Sequence, residues 1–114
     1  MNKNVMECLI KALFEAQPST QTEDPGVWKI GEKYLIRTVT VINVGRLKKV
    51  TTQELLLEDG SWVADTGRFH DCLKNGLESI DQSEIEPFVG DAIVGRGAIC
   101  DAAKYSHKLP NKQK

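Results

Sequence analysis

No apolar run in this chain approaches the roughly 18 residues that a membrane-spanning helix requires, so the sequence gives no reason to expect a membrane span. Charge of one sign is also missing. A formal net charge of −1 excludes the clear cationic excess on which proteins that coat nucleic acid rely. Cysteine is sparse: Cys8, Cys72 and Cys100 are odd in number, widely spaced and form no CxxC pair. With only His70 and His107 beside them, no metal-ligand spacing arises, and neither metal nor cofactor is expected. Reduced thiols in a cytoplasmic protein are the plain reading. The first residues, Met1-Asn-Lys-Asn-Val-Met, imitate the charged start of a signal peptide, but Glu7, Lys11 and Glu15 interrupt the apolar stretch that should follow.

Catalytic patterns are missing too. There is no strained nucleophile elbow, no phosphate loop and no cysteine with a histidine base nearby in sequence, so no enzyme is expected. Asp65, His70 and Asp71 cluster in sequence, but the latter two face apart on a short helix, and a solvated face is the favoured reading.

What is present fits one soluble domain of 114 residues, 40% hydrophobic and 27% charged, long enough to build a core without staples. It divides into an N-terminal helix (1–17), a linker (18–26), a β-rich core (27–104) and a basic tail (105–114). Over residues 3–16, Val5, Leu9 and Leu13 recur every four positions, with Met6, Ile10 and Phe14 widening the stripe. Asn2 or Asn4 can cap this helix and Pro18 ends it. Its apolar face needs a partner, either the domain itself or a second copy.

Tyr34 to Val44 is the strongest β run, with apolar residues on both faces, so it is expected to be covered on both sides. Gly45 marks a turn, Arg46–Val50 a second strand, Thr51-Thr52 a connector and Glu54–Glu58 a third strand. Asp59-Gly60 reads as a hairpin turn leading to a fourth strand, Ser61–Ala64. Asp65 or Thr66 should cap a helix over 67–74, closed by Asn75-Gly76 with a left-handed cap. Leu77–Glu84 reads as a polar surface connection. Ile85–Val89 reads as a strand, and Ala92–Ala103 as a last strand interrupted at Gly95–Gly97. The tail from Lys104 carries no apolar period and is expected to fray. The fold class is therefore α+β: a mainly antiparallel sheet or small barrel-like domain, with an N-terminal helix and a short helix near 67–75.

The candidate site is organised around Gly95-Arg96-Gly97. Two glycines give the backbone either unusual dihedrals or close approach, and the arginine offers a planar fork for phosphate or a ring; the alternative is a bulge whose arginine merely points at solvent. Phe69, in the first turn of the second helix, can stack on a nucleobase, and Arg68 beside it adds charge at a helix N-terminus. The alternative is that Phe69 simply anchors the core. Trp62 carries the same ambiguity, a core tryptophan or an aromatic platform.

Two resemblances follow from these residues. Val44-Gly-Arg-Leu47, Trp62-Val-Ala-Asp-Thr-Gly-Arg-Phe69 and Val94-Gly-Arg-Gly-Ala-Ile99 together resemble the phage anti-Thoeris sponge proteins, the first of the Thoeris anti-defence families. The resemblance runs from about Val27 to the end and leaves the N-terminal helix uncovered. It implies a homo-oligomer that sequesters a cyclic ADP-ribose isomer, with CBASS cyclic di- or trinucleotides as further ligands, in a pocket at a subunit interface. The resemblance also implies that Phe69 and Arg96 line that pocket. Arg68, Gly95 and Gly97 join the candidate set on the residue chemistry given above, not on the resemblance. The second resemblance is to the layout of Sm-like small barrels, which form rings and bind single-stranded RNA near an Arg-Gly pair. Here the Sm-like asparagine is missing, with Thr52-Gln53-Glu54 in its place, and the 67–74 helix is extra. A phage structural protein without a ligand is a third reading.

Overall fold

The long β run does not stay one strand. In the computed structural model, which describes residues 26–114, it reverses at residues 39–41 into two antiparallel strands, β1 (Lys33–Thr38) and β2 (Ile42–Val50). No glycine or asparagine marks this turn. Instead the Thr38 hydroxyl donates to Val41 O at 2.8 Å and accepts from the amides of Thr40 and Val41 at 3.3 and 3.0 Å. Thr51 repeats the device at the next turn, donating to Glu54 O and accepting from the amides of Gln53 and Glu54. A threonine side chain standing in for turn backbone leaves a weaker trace in sequence than glycine does. The expected helix over 3–16, and the linker apart from Gly26, lie outside the described residues.

The turns expected at Gly45 and at Asp59-Gly60 are both absent. Gly45 lies inside β2, and β3 runs unbroken for 12 residues, Glu54–Asp65. The two glycines meet instead at a bulge. Val44 pairs with Ser61 and Arg46 with Glu58, so Gly45 alone faces both Asp59 and Gly60. Asp59 takes the positive φ that its sequence promises (52°), but spends it on bending a strand rather than reversing one. Gly60 is required by space. A Cβ there would sit 2.5 Å from Val44 O and 2.7 Å from the Phe88 ring.

After β3 comes a seven-residue helix, α1 (Phe69–Asn75), one residue or two later than expected at either end. Arg68 occupies the N-cap without a side-chain bond, because the Asp65 carboxylate accepts from Gly67 N at 2.8 Å and Thr66 Oγ1 donates to Gly67 O. Gly76 does end the helix with a positive φ of 90°, but its ψ of 150° is extended rather than left-handed helical. The connection expected to be polar opens on a 3-10 turn, Leu77–Ser79, whose Leu77 is fully buried. Strand β4 (Glu84–Pro87) pairs with the second half of β3, and β5 (Ala92–Gly95) with its first half. The interruption at Gly95–Gly97 is a 3-10 turn, Arg96–Ala98, after which β6 (Ile99–Lys104) pairs with β1.

The result is a six-stranded, antiparallel sheet in the order β4-β3-β2-β1-β6, with β5 also on β3. Because only three residues separate β5 from β6, the β3 side and the β1 side of the sheet are brought together and the sheet curls. Both faces are buried, as the two-sided apolar pattern requires. Leu35, Val44, Val63 and Ile85 pack under α1 with Cys72, Leu77, Tyr105 and Leu109. Tyr34, Ile36, Leu47, Leu55, Leu57 and Val94 fill the concave side.

The basic tail is not frayed. Tyr105 is buried and its hydroxyl accepts from Leu77 N at 2.8 Å, and Lys114 N and O pair with Ile85 at 2.9 and 3.0 Å. The Lys114 ammonium donates to the carbonyls of Leu77, Glu78 and Ile80. A segment held by single anchors and main-chain pairing shows no periodicity, which is why its sequence reads as loose.

The glycines separate into two kinds that mutation will distinguish. Gly60→Ala is expected to lower stability by about 1–3 kcal/mol through overpacking. Gly95→Ala and Gly97→Ala, whose Cβ atoms would meet nothing within 4 Å, are expected to stay within about 0.5 kcal/mol of the parent. Urea melts of the three variants check this.

Candidate functional site

Arg96 begins the 3-10 turn between β5 and β6, and the turn between β2 and β3 holds it in place. Its amide donates to Gln53 O at 2.9 Å and its Nη1 to Thr51 O at 2.6 Å. The bond to Thr51 fixes the guanidinium while leaving further N–H donors of the fork for another partner. Of the two uses expected for its flanking glycines, unusual dihedrals are not the one found. Gly95 has φ −69°, and among the described glycines with positive φ neither Gly95 nor Gly97 appears. Both are exposed with open space where a Cβ would stand, so the segment presents bare backbone.

Phe69, the first residue of α1, is half-buried against the core beneath the helix. Its ring already has a cation. The Arg37 guanidinium lies 4.3 Å from the ring centroid, and the same arginine forms a two-point ion pair with Asp101, Nε to Oδ1 at 2.6 Å and Nη2 to Oδ2. The hydrogen bond from Arg37 holds the Asp101 carboxyl below its usual range, and that bond likewise raises the Arg37 pKa. Phe69 therefore packs on the core, one of the two readings its position allowed, and its ring also faces a guanidinium. Arg68 is exposed. His70 is exposed as well, and Asp65 is turned to Gly67, consistent with a solvated face.

Phe69, Arg68, Arg96 and Gly97 line none of four depressions on the described surface. Gly95 lines one, and there it meets residues that the sequence left undecided or unnoticed. In that groove of 360 Å³, Gly95 and Ala98 stand across from Thr38 and Val41 of the first turn, with Trp62, Phe88 and Asn43 between. Trp62 is 45% exposed, hence a platform more than a core residue, and its ring meets Phe88 edge-on at 4.8 Å. Asn43 pairs with Ile36 on one side and Trp62 on the other, so all three share a face of the sheet. Period-two alternation from Ile36 could not reveal this, because the turn and the bulge reset the register.

A second depression of 560 Å³ lies across Trp62, lined by Thr38, Val41, Glu84, Glu86 and Lys114 among others. Of seven exposed large apolar residues, Val39, Val41, Trp62, Val89 and Ile93 line one or other of these two depressions. Exposed apolar side chains of the described residues are thus gathered in one region rather than scattered. Among the described residues no group of three His, Cys, Asp or Glu side chains could hold a metal ion, and no helix is long and apolar enough to cross a membrane.

No protein-family model, curated protein or solved structure matches this chain.

The two described cysteines differ in a way that chemistry can read. Cys72 is buried, and burial pushes its thiol from 9.0 up to about 11, whereas Cys100 is exposed. Iodoacetamide at pH 8 is expected to label Cys100 in the native protein and Cys72 only after denaturation, as peptide mass mapping will show. A folded-state pKa above the unfolded one means that Cys72 contributes its full stability below about pH 9. That contribution is lost as the pH rises towards 11. Melting temperature should fall over that interval, and less steeply in Cys72→Ala.

Proposed function

We propose that this protein binds and sequesters a cyclic nucleotide immune signal without degrading it. The ligand is a cyclic ADP-ribose isomer of the Thoeris type, with CBASS cyclic oligonucleotides as further candidates. The observation that carries the reading is Arg96: a guanidinium steered by Thr51 O between two exposed glycines. That is a preorganised donor set for a pyrophosphate, and it needs no nucleophile or proton relay. The resemblance of the segments around Phe69 and Arg96 to the anti-Thoeris sponges supports the same ligand class.

The separation of Phe69 from Arg96 within one chain fits a pocket shared between copies. Phe69 sits beneath α1 with Arg37, while Arg96 sits at the Thr51 turn. On this reading the homo-oligomer is part of the site, and the exposed apolar rim together with the N-terminal segment supplies its contacts.

An Sm-like RNA-binding module is the second reading, favoured by one observation. β1, β2, β3, β5 and β6 follow each other around the sheet, with β5 on β3 and β6 back on β1. That circuit is the path of a small barrel, with α1 and β4 inserted.

The deciding measurement is calorimetric titration of cyclic ADP-ribose isomers, followed by heating of the complex and analysis of what is released. Intact ligand is the expected result, and altered ligand would replace the sponge by an enzyme. Arg96→Ala should weaken retention at least tenfold while the protein stays folded. Phe69→Leu, which keeps the packing but removes the ring, should do likewise. Retention unchanged in both variants would sink the site assignment.

A further inference from the structure

We infer that the groove between the β1–β2 turn and the β5–β6 turn is a site for one adenine base, stacked on Trp62 and read by the Asn43 amide. The inference goes beyond the Phe69–Arg96 reading: neither of those residues lines the groove, although Gly95, next to Arg96, does.

Asn43 is the starting point. It is 3% exposed and sits inside a strand, a position that asparagine disfavours. Among the described residues its side chain has no hydrogen-bond partner, yet none of their buried side-chain nitrogens or oxygens is left unsatisfied. The two facts agree only if the amide keeps access to outside, and the opening available to it is the groove it lines. A buried amide in that state has both a donor and an acceptor waiting.

The walls choose the kind of partner. Phe88 fixes the indole of Trp62 by an edge-on contact and leaves it almost half exposed, which is what a stacking platform requires. Val41, Val89 and Ile93 add apolar rim. The groove is close to neutral: Asp91 is its one ionisable liner, and its carboxylate accepts from Lys48 Nζ at 3.0 Å. A base enters such a place more readily than a phosphate does. The depression across Trp62 presents Glu84 and Glu86 beside Lys114, whose ammonium is engaged by the carbonyls of Leu77, Glu78 and Ile80. At 360 Å³ the groove falls at the small end of the range for ligand pockets, about 300–1,000 Å³, suiting one ring system.

Asparagine then selects among bases. A side-chain amide offers one N–H and one oxygen side by side, matching the N6 amino group and N7 of adenine. The corresponding edge of guanine shows two acceptors, O6 and N7, and leaves the amide oxygen unsatisfied. The adenine can come from a free nucleotide or from an A-rich single strand, and the chemistry in the groove is the same.

The test is a nuclear magnetic resonance titration of the full chain with 5′-AMP, 5′-GMP and an oligoadenylate. AMP is expected to shift the Trp62 indole N–H and the Asn43 side-chain amide, with GMP roughly tenfold weaker or more. Trp62→Ala and Asn43→Leu should each weaken AMP by about tenfold, while Arg96→Ala leaves it unchanged. Should Asn43→Leu not fold, Trp62→Ala together with the AMP–GMP contrast still decides the matter. An oligoadenylate that binds far more tightly than AMP, with steep salt dependence, identifies a strand as the source, whereas equal affinity per base identifies a free nucleotide. Equal affinity for AMP and GMP, shifts confined to residues outside the groove, or no shift with any probe would each overturn the inference. Loss of cyclic ADP-ribose binding in Arg96→Ala with AMP binding intact separates this site from the one proposed above.

Discussion

A strand that serves two partners along one edge must bend between them, and the rest of this molecule depends on how β3 does so. Asp59 and Gly60 crowd opposite Gly45, and the kink splits the free edge of β3 into a first half for β5 and a second half for β4. Phe88 then donates its amide to Gly60 O at 2.8 Å, which pins the link between those two strands at the kink itself. With β5 set on the first half, the three-residue turn can carry the chain round to β1. That kink, together with a second register shift between Leu47 and Lys49, lies in the pairing of β2 with the strand that carries both β4 and β5.

Much of the architecture was legible in the sequence. The β character of 34–64, the short helix after Asp65, the burial of both faces around Leu35 and Ile36, and the break at Gly95–Gly97 all appear where composition and pattern put them. What misled was punctuation. Gly45 and Asp59-Gly60 have the chemistry of turns, yet the local signal cannot distinguish reversing a strand from bending one; the partner strand decides. The first reversal uses Thr38, a residue that otherwise counts as a strand former, whereas the reversal at Thr51 falls on the connector expected there. The tail misled in another way. Tyr105 and Leu109 are isolated anchors, and isolated anchors carry no period.

The candidate site was legible as residue types more than as a place. Gly95-Arg96-Gly97 is exposed and its arginine held, in keeping with a fork awaiting a partner. Phe69 turns out to be shared between the core and Arg37, an arrangement invisible to any reading that does not know β1 lies beneath α1. Trp62 gained weight through Phe88 and Asn43, which reach it only by strand pairing across the sheet. Sequence distance hides this triad, because its members come from β2, β3 and the residue just after β4.

The closing contact between β1 and β6 has a consequence for how the chain reaches its folded form. Tyr34 pairs with Lys104, about seventy residues further along. Local hairpins such as β1–β2 form from neighbours, but this pairing must wait for nearly the whole domain to be synthesised, and long loop closure is slow. Until then β1 presents an unpaired edge beside its buried leucine and isoleucine, a template for unwanted strand addition. The nascent protein is thus at its most vulnerable just before β6 arrives, and the strand that seals the sheet follows directly on the turn that bears Arg96.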